Sequence, residues 1–245
     1  MNRRILVVGG AGGIGLAMAT CWARRDDVER VYIVDKAPLM PQHRLPKMEA
    51  FQFDVTATDY SLFDRFADID TLMITAGFGH MDLFRDVPEE LISSYFQVNT
   101  LPTMRLAKRF YTKLEGQTPF HMGVMVSIAG FMSSPFLSVY AATKAALRIF
   151  IESVNVELEK AGTANRILNV APGSFHGTGF HDGATDIAMI TPLAQDIISH
   201  LEAGHDLFIP RYDEVFHTVL DRYHTDFRAE GRHSYEYKEK TREKG

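Results

Sequence analysis

The chain has 245 residues, of which 46% are hydrophobic and 23% are charged, and its formal net charge at pH 7 is −5. This length and balance predict one α/β domain whose core is large enough to fold without cross-links. The mild negative charge gives no electrostatic basis for binding nucleic acid or an anionic membrane, so we expect neither as a partner. A single cysteine, Cys21, excludes a disulfide within the chain and is typical of a reducing compartment.

The amino-terminal residues combine two arginines with a short apolar run over residues 5–8. That run is shorter than the ~7–15 apolar residues of an export signal. No apolar stretch approaches the ~20 residues of a membrane span. We therefore expect a cytoplasmic protein whose first strand is buried in a parallel sheet.

Short apolar runs alternate with longer helical patterns along the chain. The runs predict strands over residues 5–8, 31–34, 50–53, 71–74, 122–127, 166–170 and 207–209. The patterns predict helices near residues 14–25, 60–66, 88–115, 138–161, 191–203 and 211–223. This alternation predicts a doubly wound, three-layer Rossmann-type fold with a mostly parallel seven-stranded sheet, which binds ligands at the carboxyl ends of its strands. We assign residues 1–224 to this single domain and residues 225–245 to a charged, solvated tail.

Glycines are concentrated directly after the first predicted strand. Gly10, Gly12 and Gly15 fit the pattern G-x-G-x-x-G, whereas Gly9, Gly13 and Gly15 fit the wider G-x-x-x-G-x-G. In both patterns, glycines let backbone amides approach a pyrophosphate that the amino terminus of the following helix attracts. The turn therefore predicts a dinucleotide site. The predicted contacts are Gly9, Gly12, Gly13, Ile14 and Gly15.

Acidic residues follow the second and third predicted strands, where the adenosine half of a dinucleotide would lie. Asp35 can accept hydrogen bonds from ribose hydroxyls and would repel the extra phosphate of NADP, which favours NAD. Lys36 beside it partly offsets that repulsion, so NADP stays open. Asp54 and Val55 can meet the edge and the face of the adenine ring. The small residues Thr75-Ala76-Gly77 end the fourth predicted strand and let backbone lie against the cofactor.

Tyr140 and Lys144 lie four residues apart in a helical pattern, thirteen residues after Ser127. Residues i and i+4 share a helix face, so the Lys144 ammonium can stabilise a Tyr140 phenolate and lower a pKa that is about 10 in a free tyrosine. A general acid/base works best when its pKa approaches the working pH. Ser127 can donate to the substrate oxygen, and the hydride step belongs to a nicotinamide cofactor. The pattern predicts an NAD-dependent oxidoreductase that interconverts a secondary alcohol and a ketone.

As an ordered set, these motifs resemble the short-chain dehydrogenase/reductase family. The segments that carry the resemblance are Gly9-x-x-x-Gly13-Ile14-Gly15, Thr75-Ala76-Gly77, Asn99, Ser127 with Ala129-Gly130, Tyr140-x-x-x-Lys144 and Pro172-Gly173. The resemblance covers roughly residues 4–180. It implies a Rossmann-type fold and NAD(P)-dependent oxidoreduction. At the carboxyl-terminal end, residues 207–210 and the charged tail replace the family's usual glycine-rich terminal strand.

The resemblance also implies roles for individual residues. Tyr140 resembles the catalytic acid/base, Lys144 its pKa partner and ribose ligand, and Ser127 the donor to the substrate oxygen. Asn99 resembles the residue that holds a water in the proton relay from Lys144. The further cofactor contacts that it implies are Asp35, Asp54, Val55, Thr75, Ala76, Gly77, Pro172, Gly173 and Phe175.

Partners and alternatives follow from the same residues. We expect a small alcohol or ketone bound against an apolar surface. The expected contacts are Ser127, Tyr140, Phe131, Phe136, His176 and Phe180.

The ten histidines lack zinc-ligand spacing, so no metal is expected. The long helical patterns can pair across a two-fold axis, which predicts a homo-oligomer, either a dimer or a tetramer. The alternatives are an NADPH-dependent ketoreductase and a non-catalytic dinucleotide sensor, although a sensor should have lost its proton-transfer residues.

Overall fold

The computed structural model describes residues 3–175 and 185–242, and in this part of the chain seven strands form one sheet. The strands in chain order are β1 Arg3–Val8, β2 Val28–Asp35, β3 Met48–Gln52, β4 Thr71–Ile74, β5 His121–Met125, β6 Ile167–Val170 and β7 Leu207–Phe208. Their order across the sheet is β3-β2-β1-β4-β5-β6-β7, and each neighbouring pair is parallel. The predicted Rossmann-type architecture is confirmed. Assignment to a single domain stays a prediction.

Helices cover both faces of this sheet. In chain order they are α1 Gly13–Ala23, α2 Glu89–Asn99, α3 Leu101–Arg109, α4 Tyr111–Glu115, α5 Ser138–Lys160, α6 Ile187–Glu202, α7 His217–Thr225 and α8 Phe227–Arg242. Residues of α3, α4 and α5 join the core cluster on one face, and residues of α1 and α6 join the cluster on the other. No helix among the described residues combines the length and apolar character that a membrane-spanning helix requires.

The apolar run of β1 shows why the sheet is buried on both faces. Successive side chains of a strand point to opposite faces. Leu6 and Val8 therefore pack into the cluster under α3 and α5, whereas Ile5 and Val7 pack into the cluster under α1 and α6. All four are fully buried. A continuous apolar run is the pattern that a central parallel strand requires.

The strand order reverses between β1 and β4, which defines where a ligand can enter. The chain moves outward from β1 to β3 and then returns to place β4 on the other side of β1, with Val8 paired to Ile74. Gly9 follows β1 and Thr75 follows β4, so the two turns lie in contact at the carboxyl edge of the sheet. In an open α/β sheet, such a reversal is the usual ligand-binding edge.

Two predicted helices differ from the structure. The segment predicted as one helix near residues 88–115 is divided into α2, α3 and α4. Pro102, in the first turn of α3, lacks an amide hydrogen and favours a new helix start there. Residues Ser61–Phe66 form a 3₁₀ helix instead of an α-helix.

The charged carboxyl-terminal segment is mostly exposed, but it is helical and a few of its side chains are docked. Most of that segment forms α8, and its side chains contact the body of the protein. The Lys238 ammonium donates to the Ser134 hydroxyl and to the Pro135 carbonyl, and the Tyr235 ring lies against Phe136. Glu230 is buried. A small number of specific contacts therefore docks a helix in which half of the residues are charged.

Candidate active site

Three glycines of the turn after β1 occupy positions that a larger residue could not take. Gly9 has φ +87°, and a Cβ there would lie 2.4 Å from the Ala76 nitrogen. A Cβ on Gly15 would lie 2.3 Å from the Thr75 hydroxyl and 2.4 Å from the Gly9 carbonyl oxygen. Gly13 has φ +53°. Positive φ and contacts this close require glycine, so the structure favours the wider pattern G-x-x-x-G-x-G.

The other two glycines of the turn are less constrained. A Cβ on Gly10 would meet the Val7 side chain at 3.0 Å, and one on Gly12 would have the Thr185 hydroxyl at 3.5 Å as its nearest neighbour. Both have ordinary backbone conformations. Gly12 is the amino-terminal cap of α1. No neighbouring backbone comes so close to Gly12 that a side chain would be excluded.

The amino terminus of α1 faces outward with an amide that already binds an oxygen. The Gly13 N–H donates to the Thr185 hydroxyl at 2.8 Å. A helix amino terminus favours negatively charged oxygen atoms, such as those of a pyrophosphate. The glycine cradle and this outward amide therefore fit a dinucleotide. Ile14 sits half-buried behind them and packs against the cluster under α6.

Asp35 lies beside the glycine turn, at the end of β2. Its carboxylate accepts hydrogen bonds from the Ala11 N–H and the Ala37 N–H, both at 3.0 Å. These bonds hold the acid at the edge of the crevice, where the adenosine ribose was predicted. Lys36 is exposed, and its carbonyl accepts from the Gln52 side chain at 2.9 Å.

Asp54 and Val55 follow β3, as predicted. Asp54 Oδ1 accepts from both the N–H and the hydroxyl of Thr56 at 2.8 Å. These hydrogen bonds hold the pKa of the Asp54 carboxyl below its usual value. Val55 packs against the core, and its carbonyl accepts from the Tyr60 hydroxyl at 2.5 Å. These bonds fix the conformation of the loop after β3. Contact of Asp54 and Val55 with adenine stays a prediction.

The turn after β4 joins the cofactor crevice to the predicted proton-transfer residues. The Thr75 hydroxyl donates to the Gly9 carbonyl at 2.9 Å, which ties β4 to the glycine turn. A Cβ on Gly77 would lie 3.2 Å from Asn99 Oδ1 and 3.5 Å from Lys144 Nζ. Gly77 therefore leaves room for both side chains at the crevice.

Ser127 is held against α5 by the turn that follows β5. Its Oγ accepts from the Ala129 N–H at 3.1 Å and is 3.4 Å from the Pro172 carbonyl, to which it can donate. A Cβ on Gly130 would lie 2.7 Å from the Lys144 carbonyl carbon, so glycine is needed for the turn to approach α5. This approach lets Ser127 form a hydrogen bond with the Tyr140 side chain.

Tyr140 and Lys144 lie together at the start of α5, yet both of their pKa values differ from the sequence expectation. Lys144 is 3% exposed, donates to the Met125 carbonyl at 2.8 Å and has its Nζ 5.5 Å from the centre of the Tyr140 ring. Burial lowers the pKa of Lys144 to about 8. Burial also raises the pKa of Tyr140 to about 12, although the Ser127 hydrogen bond opposes the rise.

The expected lowering of the Tyr140 pKa is therefore wrong for the chain alone. Burial penalises the charged form of an acid, and here it exceeds the opposing effect of the Ser127 hydrogen bond. The Lys144 amine lies near the face of the ring, and its hydrogen bond goes to the Met125 carbonyl. The sequence spacing correctly predicted that the two residues lie together. It could not predict their burial or the Met125 carbonyl that accepts from Lys144.

Asn99 reaches the same place but binds the backbone. Its Oδ1 accepts from the Phe78 N–H at 2.9 Å, and its Nδ2 donates to the Phe78 carbonyl at 2.9 Å and to the Thr143 hydroxyl at 3.3 Å. The side chain thus fixes the loop after β4 to α5. A role in holding a relay water stays a prediction.

The turn after β6 lies opposite Ser127. The Pro172 carbonyl accepts from the Ile128 N–H at 3.0 Å. A Cβ on Gly173 would lie 2.7 Å from the ring of Phe216, a residue that the sequence argument did not select. Phe175 packs against the cluster between α1 and α6.

The predicted substrate residues divide into two groups. Phe131 is half-buried beneath the Arg148 guanidinium, whose carbon is 4.8 Å from the ring centre, and Phe136 is buried. Both belong to the segment between Ser127 and Tyr140. His176 and Phe180 lie outside the described residues.

Sequence reasoning missed an aromatic pair on the other side of Asn99. The Phe78 and Tyr95 rings stack with centres 4.6 Å apart and planes at 9°. The Tyr95 hydroxyl accepts from the His80 N–H at 2.8 Å. Tyr95 is close enough to Tyr140 that, after burial and the Ser127 bond, it raises the Tyr140 pKa further. Its position one helical turn before Asn99 was the available signal, because such residues share a face.

Within residues 3–175 and 185–242, no three His, Cys, Asp or Glu side chains are grouped so that they could hold an ion.

Comparison with known proteins identifies the class to which this site belongs. A family model described as short chain dehydrogenase matches residues 3–186. The chain belongs to the short chain dehydrogenase family, whose members are NAD(P)-dependent oxidoreductases.

Individual relatives are distant. A short chain dehydrogenase/reductase of Claviceps purpurea is 26% identical over 185 residues, covering 71% of this chain and 62% of that protein. A short-chain dehydrogenase structure from Streptomyces avermitilis superposes with a TM-score of 0.76 at 20% identity and full coverage of both chains. One from Burkholderia cenocepacia in complex with NADP gives 0.72 at 18% identity, covering 90% of this chain and 97% of that one. These structures support the fold.

Substitution of two neighbouring glycines tests the geometry of the turn. Gly9→Ala should lower the free energy of unfolding by at least about 2 kcal/mol, because its Cβ would meet the backbone of Ala76 in a positive-φ conformation. Gly12→Ala, the matched control, should change it by less than about 0.5 kcal/mol. Urea unfolding checks both. Equal losses in the two variants would contradict the assignment of the wider pattern.

Lys144→Met should stabilise the chain in the absence of coenzyme at pH 7. A base whose pKa falls from 10.5 to about 8 on folding carries a penalty at every pH below 8. Between pH 8 and 10.5 the unfolded chain binds more protons, so wild-type stability rises with pH. The penalty is on the order of 3 kcal/mol, and the lost bond to Met125 offsets about 1 kcal/mol of it.

Urea unfolding at pH 7 and about pH 10 measures this effect. The advantage of the methionine variant should shrink at the higher pH. Lys160→Met, at the exposed end of the same helix, is the control and should be neutral. A methionine variant less stable than wild type at pH 7 would refute the assigned burial cost.

Proposed function

We propose that the chain is an NAD-dependent oxidoreductase that interconverts a secondary alcohol and a ketone. The observation that carries the proposal is the convergence of Ser127, Tyr140 and Lys144 beside Gly77. Gly77 belongs to the turn that borders the glycine cradle. In the proposed arrangement, the proton donor and the bound dinucleotide meet at this turn, as hydride transfer to a carbonyl requires.

Each side chain has a distinct task in the proposed reaction. When bound, the nicotinamide coenzyme supplies or accepts the hydride. Tyr140 gives its phenolic proton to the carbonyl oxygen during reduction and takes a proton from the alcohol during oxidation. Ser127 donates a hydrogen bond to the same oxygen as negative charge develops there. Lys144 holds positive charge below the phenol and would meet the nicotinamide ribose.

The protonation state of Tyr140 affects whether the site favours ketone reduction or alcohol oxidation. With a pKa of about 12, the phenol keeps its proton at neutral pH, which is the form that reduces a ketone. Oxidation of an alcohol needs the phenolate, which burial disfavours. We therefore propose that oxidation gains more than reduction from any positive charge brought close to Tyr140.

The choice of NAD rests on Asp35. Its carboxylate is held at the crevice edge by the backbone of residues 11 and 37, so a 2′-phosphate there would meet a fixed negative charge. The second candidate is an NADPH-dependent ketoreductase. Exposed Lys36 favours it, as does the NADP bound to the related Burkholderia cenocepacia protein.

The proposal also includes a homo-oligomeric assembly and a cytoplasmic location. Leu101, Ile149 and Val156 are exposed on α3 and α5, which supports association of these helices between two copies of the chain. The single cysteine supports a cytoplasmic location. The substrate is a small alcohol or ketone, to be sought in a panel of ketones with NADH oxidation as the readout.

Tyr140→Phe tests the proton-transfer assignment. Because only the hydroxyl is removed, kcat for ketone reduction should fall by at least about 100-fold while the NADH dissociation constant stays within about twofold of wild type. Tyr111→Phe, on α4, is the matched control and should keep full activity. Turnover near the wild-type rate in the Tyr140 variant would show that another group moves the proton.

Asp35→Asn tests coenzyme selection. Wild-type protein should bind NADH more tightly than NADPH, and the variant should bind NADH about tenfold more weakly because a charged acceptor for the ribose is lost. NADPH binding should weaken less or improve. Asp26→Asn, in the exposed turn after α1, should bind both as wild type does. Tighter binding of NADPH by the wild-type protein would replace NAD with NADP as the coenzyme.

A further inference from the structure

The segment between Ser127 and Tyr140 is held in a conformation that it would not adopt alone. Phe136 is 5% exposed and has φ +66°. Side chains with a Cβ rarely occupy this region, and they do so when the surrounding structure imposes it. The Phe136 carbonyl accepts from the Asp82 N–H at 2.8 Å, which fixes one side of the segment to the loop after β4.

Helix α8 fixes the other side of the same segment. The Lys238 ammonium donates to the Ser134 hydroxyl at 2.6 Å and to the Pro135 carbonyl at 3.0 Å. The Tyr235 ring lies 4.7 Å from the Phe136 ring, centre to centre. A Cβ on Gly231 would lie 3.2 Å from the Ser133 hydroxyl, so α8 runs close to the segment along three of its turns.

The helix is itself anchored to the body of the site. Arg222 of α7 pairs with the buried Glu230 of α8 at 2.6 Å. Leu220 of α7 is in a cluster with Ile128, against which Phe131 also packs. The α7–α8 pair therefore reaches from the Ser127 turn to residue 136.

Because α8 is rich in charged residues, its docking depends largely on the hydrogen bonds of Lys238. Half of the α8 residues are charged, so the helix has little apolar surface with which to dock. Lys238 is half-buried and its amine makes two hydrogen bonds to the 133–137 segment, and burial lowers the pKa of Lys238 to about 8. An ammonium is not desolvated in this way on an ordinary solvated helix face.

We propose that Lys238 is a positioning residue that fixes the 133–137 segment, so that Phe136 and Phe131 form a rigid apolar wall beside Ser127 and Tyr140. The claim about the wall rests on the proposed function, because it assigns this surface to the substrate. The claim about the contact does not, because it concerns the chain alone.

Lys238→Met tests the contact, since it keeps the stem and removes the donors. Lys240→Met is the matched control, because it removes the same charge from an exposed position on α8. Amide hydrogen exchange of residues 133–137 should be about tenfold faster in the Lys238 variant and unchanged in the control. The Leu137 N–H, which donates to the Ser134 carbonyl at 3.0 Å, is the most informative probe.

Kinetics test the wall. With the best ketone of the panel, KM should rise about fivefold in Lys238→Met, while kcat and the NADH dissociation constant stay within about twofold of wild type. Ser134→Ala removes one acceptor of the same ammonium and should move exchange and KM in the same directions. It also keeps the test decisive if the Lys238 variant fails to fold.

Several results would overturn the proposal. Unchanged exchange in both Lys238→Met and Ser134→Ala would show that the contact does not hold the segment. Equal effects of Lys238→Met and Lys240→Met would show a general effect of charge. Faster exchange with unchanged KM would remove the segment from the substrate site. If no ketone is turned over by wild type, the proposed function fails, and the exchange result still decides the role of Lys238.

Discussion

One buried pair organises the candidate active site, because the amine of Lys144 lies 5.5 Å from the centre of the Tyr140 ring. The amine is fully desolvated, and its hydrogen bond is to the Met125 carbonyl. A charge in this position is costly to the fold. Active sites often retain such costs, because the same burial that destabilises the chain makes the charge effective on a neighbouring group. The close approaches at Gly77 and Gly130 both serve to keep this pair at the crevice.

The pair is consistent with a resting state in which Tyr140 is protonated and ready to donate to a carbonyl oxygen. Burial raises the pKa of Tyr140, which keeps the phenol protonated, and lowers the pKa of Lys144, which makes the ammonium easier to deprotonate. Ser127 already bonds to the phenol, so the hydroxyl is aimed before any substrate arrives. Asn99 and Thr143 fix the surrounding backbone. Little reorganisation would then be needed when a carbonyl oxygen enters, and that is the main source of electrostatic catalysis.

Sequence patterns predicted the parts of the molecule that depend on local chemistry. The central strands β1, β4 and β6 appeared as short apolar runs because they are buried on both faces. The glycine turn appeared because backbone contact forbids side chains there. The spacing of Tyr140 and Lys144 predicted their shared face. It could not predict the direction of the Tyr140 pKa, because desolvation and the Met125 acceptor arise from distant parts of the chain.

The carboxyl-terminal helix was missed for a related reason. Periodicity detects helices that bury an apolar stripe, whereas α8 docks through Lys238, Tyr235 and Glu230, all of which look like solvated residues in a charged segment. Phe216 and Tyr95 were missed because their partners, Gly173 and Phe78, lie far away in sequence. Contacts of this kind are properties of the fold.

The most direct test of the central claim is a titration of the Tyr140 phenol by phenolate absorbance, taken as the difference between wild type and Tyr140→Phe. Without coenzyme, the pKa of Tyr140 should lie near the value of about 12 that burial imposes. With saturating NAD⁺ it should fall, because the added positive charge joins that of Lys144 in stabilising the phenolate. A phenol that already ionises near neutral pH in the chain alone, or one whose pKa does not change with NAD⁺, would contradict the account.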